Sequence, residues 1–127
     1  DKGRLALPAT FRNRLGEHCY LAKGQDKCVT VVPSATFEEE AEVMAARVRL
    51  GDVSRNQLRA LASSAILVTL DKQGRVNVDE QLRDYAGLQL GEPVTVAGSF
   101  DRLELWSPQR FTLVNDDGTG DLAGDDQ

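Results

Sequence analysis

One short pattern occurs twice in this chain, and no other feature restricts its fold as strongly. Placing Gly3 on Gly74 brings Arg4 onto Arg75, Phe11 onto Leu82 and Arg12 onto Arg83. Shifting by three more residues sets Gly24 on Gly98, Val29 and Val31 on Leu103 and Leu105, and Phe37 on Phe111. Self-similarity of this kind marks a duplicated supersecondary unit. The second copy is preceded by the apolar run Ile66 to Leu70 and by Asp71, whereas the first copy has only Asp1 and Lys2 before its glycine. The first copy is therefore expected to lack its opening strand and leading acid, as in a chain truncated at its N-terminus, and to leave a sheet edge exposed or filled by a neighbour.

Local patterns divide each copy in the same way. Arg4 to Leu7 alternates like a strand, and Pro8 pre-sets a helical turn that puts Phe11 and Leu15 on one face before Gly16 ends it. Strands follow at Tyr20 to Ala22 and Cys28 to Val32, joined by the turn "KGQDK". In the second copy a strand runs over Arg75 to Val78, a helix starts from Asp79 as N-cap, and strands at Val94 to Ala97 and Leu103 to Trp106 flank "GSFD". With the opening strand restored, each copy reads β-β-α-β-β. Between them Phe37, Ala41, Met44 and Val48 recur at helical spacing, with a capping box expected at Thr36 and Glu39. Gly51 stops that helix, and a second, from Asp52 or Ser54, aligns Leu58, Leu61 and Ala65, with Arg55 and Arg59 solvated or touching another subunit. Phe111 and Leu113 begin a last helix, which the acidic tail is expected to end.

Charge is distributed unevenly. The net charge is −5, yet residues 116–127 hold five aspartates and no base, which leaves residues 1–115 neutral. That tail has the composition of a disordered segment. Residues 1–14 carry Lys2, Arg4, Arg12 and Arg14 against Asp1 alone, and a local basic patch binds phosphate whatever the sign of the total. No apolar run approaches the roughly 20 residues needed to cross a bilayer. Cytosol is the expected compartment.

Catalysis is poorly supplied, and we expect no enzyme and no cofactor or metal. The single histidine, His18, has no cysteine or serine at triad spacing. Neither a phosphate-binding loop nor a dinucleotide fingerprint is present. The acids from Glu38 to Glu42 suit the first turn of a helix and need no metal. Cys19 and Cys28 flank a hairpin and make two packed thiols rather than a metal site; whether they pair is open at this level. The Gly-Arg pairs differ from all of these. Glycine permits the positive φ of a tight turn, and the arginine after it then projects from a fixed backbone. Its planar fork can meet guanine O6 and N7 together. Asp71, four residues before Arg75, is placed to orient that guanidinium or to cap the turn.

The stretches "DKGRLALPATFR" and "DKQGRVNVDEQLRDYAGL" and the strand "LELW" resemble the MraZ family, two-repeat bacterial transcriptional regulators of the SpoVT/AbrB superfamily, over residues 1 to about 114. The family's D-x-x-x-R signature is whole as Asp71 and Arg75; the first copy keeps Lys2, Gly3 and Arg4 without the leading aspartate. The resemblance implies an α+β fold with a mainly β core: a pseudo-twofold swapped-hairpin barrel of two β-β-α-β-β repeats with flanking helices. It divides the chain into repeat 1 (1–37), connecting helices (38–65), repeat 2 (66–111) and a helix start with acidic disordered tail (112–127). It further implies ring-shaped homo-oligomers binding double-stranded promoter DNA, at tandem repeats upstream of the division and cell-wall gene cluster, in the cytoplasm at the nucleoid. On this reading Arg4 and Arg75 reach base edges. Lys2, Lys72, Arg12 and Arg83 contact phosphates or support the loop, and Gly3, Asp71 and Gly74 hold the motif. A ring-forming structural or protein-interaction module, and an antitoxin-like DNA-binding protein, are the competing expectations.

Overall fold

The computed structural model describes residues 3–16 and 18–124. Strand β1 (Arg4–Ala6) leads into helix α1 (Ala9–Leu15), and a hairpin of β2 (His18–Lys23) and β3 (Val29–Pro33) follows. Helices α2 (Ser34–Arg49) and α3 (Arg55–Ser64) connect to β4 (Ile66–Thr69), β5 (Arg75–Asn77) and α4 (Glu80–Ala86). A second hairpin, β6 (Thr95–Ser99) and β7 (Arg102–Trp106), precedes α5 (Pro108–Ala123). The protein is α+β with a mainly β core.

Local chemistry accounts for most element ends. Asp79 caps α4 by accepting from Gln81 N at 3.0 Å, and Gly87, at φ 70°, ends that helix in the left-handed region. The capping box between the repeats is made by Ser54 and Gln57, whose side chains each accept from the other's backbone N–H. It does not form at Thr36 and Glu39, because extended Pro33 occupies the N-cap of α2 and puts both residues inside the helix. Helix α5 is longer than the acidic composition suggests. Ser107 caps it, with Pro108 in the first turn, and the helix runs through Asp116, Asp117 and Asp121 to a left-handed stop at Gly124. A disordered tail from residue 116 is thus not what the structure has as far as Ala123; residues 125–127 lie outside those described.

The strands interleave the two copies. Strand β4, from the second copy, pairs with β2 of the first, from His18↔Thr69 to Leu21↔Ile66. Among the described residues strands β1 and β5 pair only with each other, and the larger sheet runs β4-β2-β3-β7-β6, antiparallel throughout. The β3–β7 ladder is centred on Thr30↔Glu104, with Val29↔Leu105 and Val31↔Leu103 to either side, so it maps onto itself when the copies are exchanged. On the far side of this sheet, β6 has no further strand among the described residues, where its counterpart β2 has β4. Among the described residues the strands do not close into a barrel. Closure needs an unbroken ladder around the circumference, and here the two-stranded β1–β5 ribbon is a sheet apart from the other five strands.

Register also corrects one equivalence. Lys23 stands opposite Val29 and Gly98 opposite Leu103, so Gly98 corresponds to Lys23, not to Gly24. The extra residue lies in the first hairpin, where Gly24 N donates to Cys28 O across a 3-10 turn at Gln25–Lys27.

Alternation along β2 and β3 serves two cores. Cys19, Leu21, Val29 and Val31 join Leu7, Leu15, Val76, Leu82, Leu103 and Leu105 in the main core. Ala22 and Val32 face the other way, with Phe37, Tyr20, Leu61 and Ala65, beneath α2 and α3. Phe37 stacks on Tyr20 at 4.4 Å between ring centroids. This two-sided cover explains why β3 is a continuous buried run rather than an alternating one.

Candidate nucleic-acid interface

The two Gly-Arg motifs meet on the β1–β5 ribbon. Its register is Arg4↔Asn77, Leu5↔Val76 and Ala6↔Arg75. Side chains alternate across a strand, so Leu5 and Val76 turn to the core while Arg4, Ala6, Arg75 and Asn77 share the opposite face. Arg4 and Arg75 are diagonal neighbours on that face, a relation that separates them by about 7–8 Å.

Each arginine is preceded by a glycine at positive φ, 84° at Gly3 and 76° at Gly74. In the second copy the turn is tied by Asp71. Its Oδ1 accepts from the backbone of Gln73 and Arg75, both at 2.9 Å, and its Oδ2 accepts from Arg75 Nε at 2.8 Å. The Arg75 amide, with the guanidinium and the Gln73 amide, holds the Asp71 carboxyl below its usual range. Arg75 is thereby oriented through Nε, and its two terminal nitrogens have no hydrogen-bond partner among the described residues. Lys72 is exposed in the same turn.

Arg12 and Arg83 have a different geometry. Arg12 Nε donates to Leu7 O at 3.0 Å, and Arg83 Nε donates to Val78 O at 3.1 Å, each spanning five residues. Both are half-buried and lie over the other copy's glycine: a Cβ on Gly74 would collide with the Arg12 guanidinium, and one on Gly3 would approach Arg83 Nε to 3.5 Å. Backbone bonds complete the clasp, from Leu7 N to Gly74 O at 3.0 Å and from Val78 N to Gly3 O at 2.7 Å. These two arginines therefore support the turns that present Arg4 and Arg75.

Of the residues singled out in the sequence, Gly3, Arg4, Arg12, Lys72, Gly74, Arg75 and Arg83 come together around one ribbon, with Asp71 at its turn. Lys2 lies outside the described residues. Asn77 was absent from that set and shares the arginines' face; its signal is the period-two step from Arg75, legible once the ribbon is known. Elsewhere, His18 is exposed on β2, with Nδ1 3.1 Å from Thr69 Oγ1 on β4. Cys19 and Cys28 are buried and free, and burial raises their thiols to about 11 and about 12. Cys19 sits opposite Pro33 and Cys28 opposite Gly24, so they do not face each other. Among the described residues there is no group of three potential metal ligands, and no helix is long and apolar enough to cross a membrane.

Comparison with known proteins agrees with the motif reading. Residues 61–116 match the family described as MraZ protein, antitoxin-like. A protein of Nocardioides sp. named "Transcriptional regulator MraZ" is 42% identical over 87% of this chain and 76% of its own length. Proteins of the same name from Bifidobacterium longum (41% identical, 98% of this chain, 83% of the relative) and Corynebacterium jeikeium (40%, 100% and 88%) align along nearly the whole sequence. With identity at this level over so much of both partners, the chain belongs to the MraZ family.

Proposed function

We propose that this protein is a sequence-specific DNA-binding regulator of transcription that places its β1–β5 ribbon in a major groove. The observation that carries the reading is the outward face shared by Arg4 and Arg75, with the second guanidinium held by Asp71 and its terminal nitrogens without a hydrogen-bond partner among the described residues. A major groove about 12 Å wide admits a two-stranded ribbon, and arginine meets guanine there through two hydrogen bonds. Arg4 and Arg75 read bases on this account; Lys2 and Lys72 meet phosphates, with Arg12 and Arg83 supporting the loop. The names of the relatives support a role in transcription.

The interleaved pairing of β4 with β2 and of β1 with β5 supports a swapped-hairpin relation between repeat 1 (1–37) and repeat 2 (66–111). The target we propose from the family resemblance is the tandem promoter repeats of the division and cell-wall gene cluster, engaged in the cytoplasm by a ring-shaped homo-oligomer at the nucleoid. Repeating one small basic surface around a ring raises avidity without new contacts in each subunit. The antitoxin-like description favours a second reading, in which a bound partner protein governs DNA affinity.

Binding of the purified protein to a tandem-repeat promoter duplex and to a scrambled duplex, across a salt series, tests the proposal. Tighter binding to the tandem repeats, with affinity falling as salt rises, is expected from the protein alone. Equal affinity for both duplexes overturns base reading, and specific binding only with a partner favours the antitoxin-like reading.

A further inference from the structure

The ribbon's symmetry is broken at one exposed position. Exchanging the copies carries Arg4 to Arg75 and Leu5 to Val76, and it carries Ala6 to Asn77. Both ends of the outward face therefore hold an arginine, but only one holds a carboxamide. Arg4 stands directly across the ladder from Asn77, and Arg75 across from Ala6. Asn77 is exposed and has no hydrogen-bond partner among the described residues. Its Oδ1 lies 3.0 Å from where a Cβ on Gly3 would be, so the amide is laid beside the turn that precedes Arg4. Asparagine is depleted in strands, and here neither a cap nor a turn uses it.

Resting on the DNA-binding reading above, we propose that Asn77 reads an adenine next to the base contacted by Arg4, and that the recognised element is consequently asymmetric. A carboxamide presents one donor and one acceptor in a plane, the complement of adenine N6 and N7 in the major groove. The methyl of Ala6 offers no such pair. One end of the ribbon then specifies a guanine with a neighbouring adenine, and the other a guanine alone. Directly opposed residues lie about 5 Å apart, a spacing that suits adjacent base steps. An asymmetric element also gives each subunit a direction on DNA, which a symmetric ribbon would not.

The test is selection of duplexes with a randomised core by the full chain, followed by sequencing. The wild type should enrich an element with an adenine beside only one of two guanines. Asn77→Ala should lose the adenine preference, by roughly 5- to 100-fold in relative affinity, while both guanines remain. Ala6→Asn should add a second adenine at the other end. Both positions face outward, so circular dichroism should show each variant folded. Replacing the selected adenine by 7-deazaadenine should weaken the wild type and leave Asn77→Ala unaffected. A palindromic element, or an adenine preference that survives Asn77→Ala, overturns this inference and leaves the DNA-binding reading intact. Failure of the wild type to enrich any element overturns both.

Discussion

At the scale of single residues, the chemistry separates readers from supports. Replacing Arg4 or Arg75 by alanine should cost about 1–3 kcal/mol per bidentate base contact and flatten discrimination between specific and scrambled DNA. Lys72→Ala should instead weaken both duplexes alike and lower the salt slope by about 1. Competition binding at two salt concentrations distinguishes the two outcomes. Gly74 is required for a different reason. Alanine there meets both a φ of 76° and the Arg12 guanidinium, whereas alanine at Gly87, with φ 70°, meets nothing within 4 Å. Urea denaturation should show about 1–2 kcal/mol lost for Gly87→Ala, the cost of a left-handed residue, and more for Gly74→Ala. The thiols of Cys19 and Cys28 have a pH signature. Burial raises both from 9.0, so the folded state keeps protons that the unfolded chain releases. Their contribution is complete below pH 9 and is lost as pH rises toward 11 to 12, which urea midpoints at pH 8 and pH 10 should register as a fall. Asp71 acts in the opposite sense: its lowered carboxyl pKa means that its contribution is present above its usual value of 3.8 and lost as pH falls through the lowered one.

At the scale of elements, the ribbon is three residues per strand and needs outside support to persist. Leu5 and Val76 anchor one face in the core, and the crossed arginines brace both turns. Arg12→Ala and Arg83→Ala each remove the donor to a main-chain carbonyl and should lower stability by about 1–3 kcal/mol. Lysine should rescue poorly, because its flexible ammonium lacks the planar fork that places Nε at that oxygen. Thermal denaturation checks both substitutions, and folded protein should retain its ratio of specific to scrambled binding. The hairpins are held separately. Tyr85 Oη donates to Gly24 O at 2.5 Å and lies under Lys23 Nζ, while the Phe11 ring lies 2.6 Å from where a Cβ on Gly98 would be. Each repeat's short helix thus packs on the other repeat's hairpin, and the copies do not come apart as independent units.

At the scale of the whole molecule, the helices are the least self-sufficient part. In α2 the only buried residue is Phe37, and α5 has none. Leu113 and Leu122 on α5 are 68% and 89% exposed, and Leu50 after α2 is 76% exposed. Helix α2 has α3 beside it; among the described residues α5 has no comparable helical partner. With the proposed ring built on these surfaces, a chain ending at Ser107 should form particles of fewer subunits than the full chain, counted as the light-scattering mass divided by the mass of one subunit. An unchanged number of subunits, or a full chain that is monomeric at micromolar concentration, contradicts assembly through α5.

The duplication, the order of elements in each copy and the Asp71–Arg75 tie were all legible in the sequence. They rest on local signals: period-two and helical apolar spacing, turn glycines, an N-cap aspartate and a four-residue separation within one turn. Thr36 and Glu39 show the limit of such signals, since the capping box appeared in their spacing but Pro33 had already taken the cap. Tertiary structure decided which strands pair. Whether β4 adds to its own hairpin or to the first one depends on loop closure and burial between residues nearly fifty apart, and apolar alternation reads the same in either case. That pairing also set the one-residue hairpin offset at Gly98 and the crossing of Arg12 onto Gly74. It brought Asn77 opposite Arg4, because facing across a ladder is a relation between strands, and no local pattern encodes it.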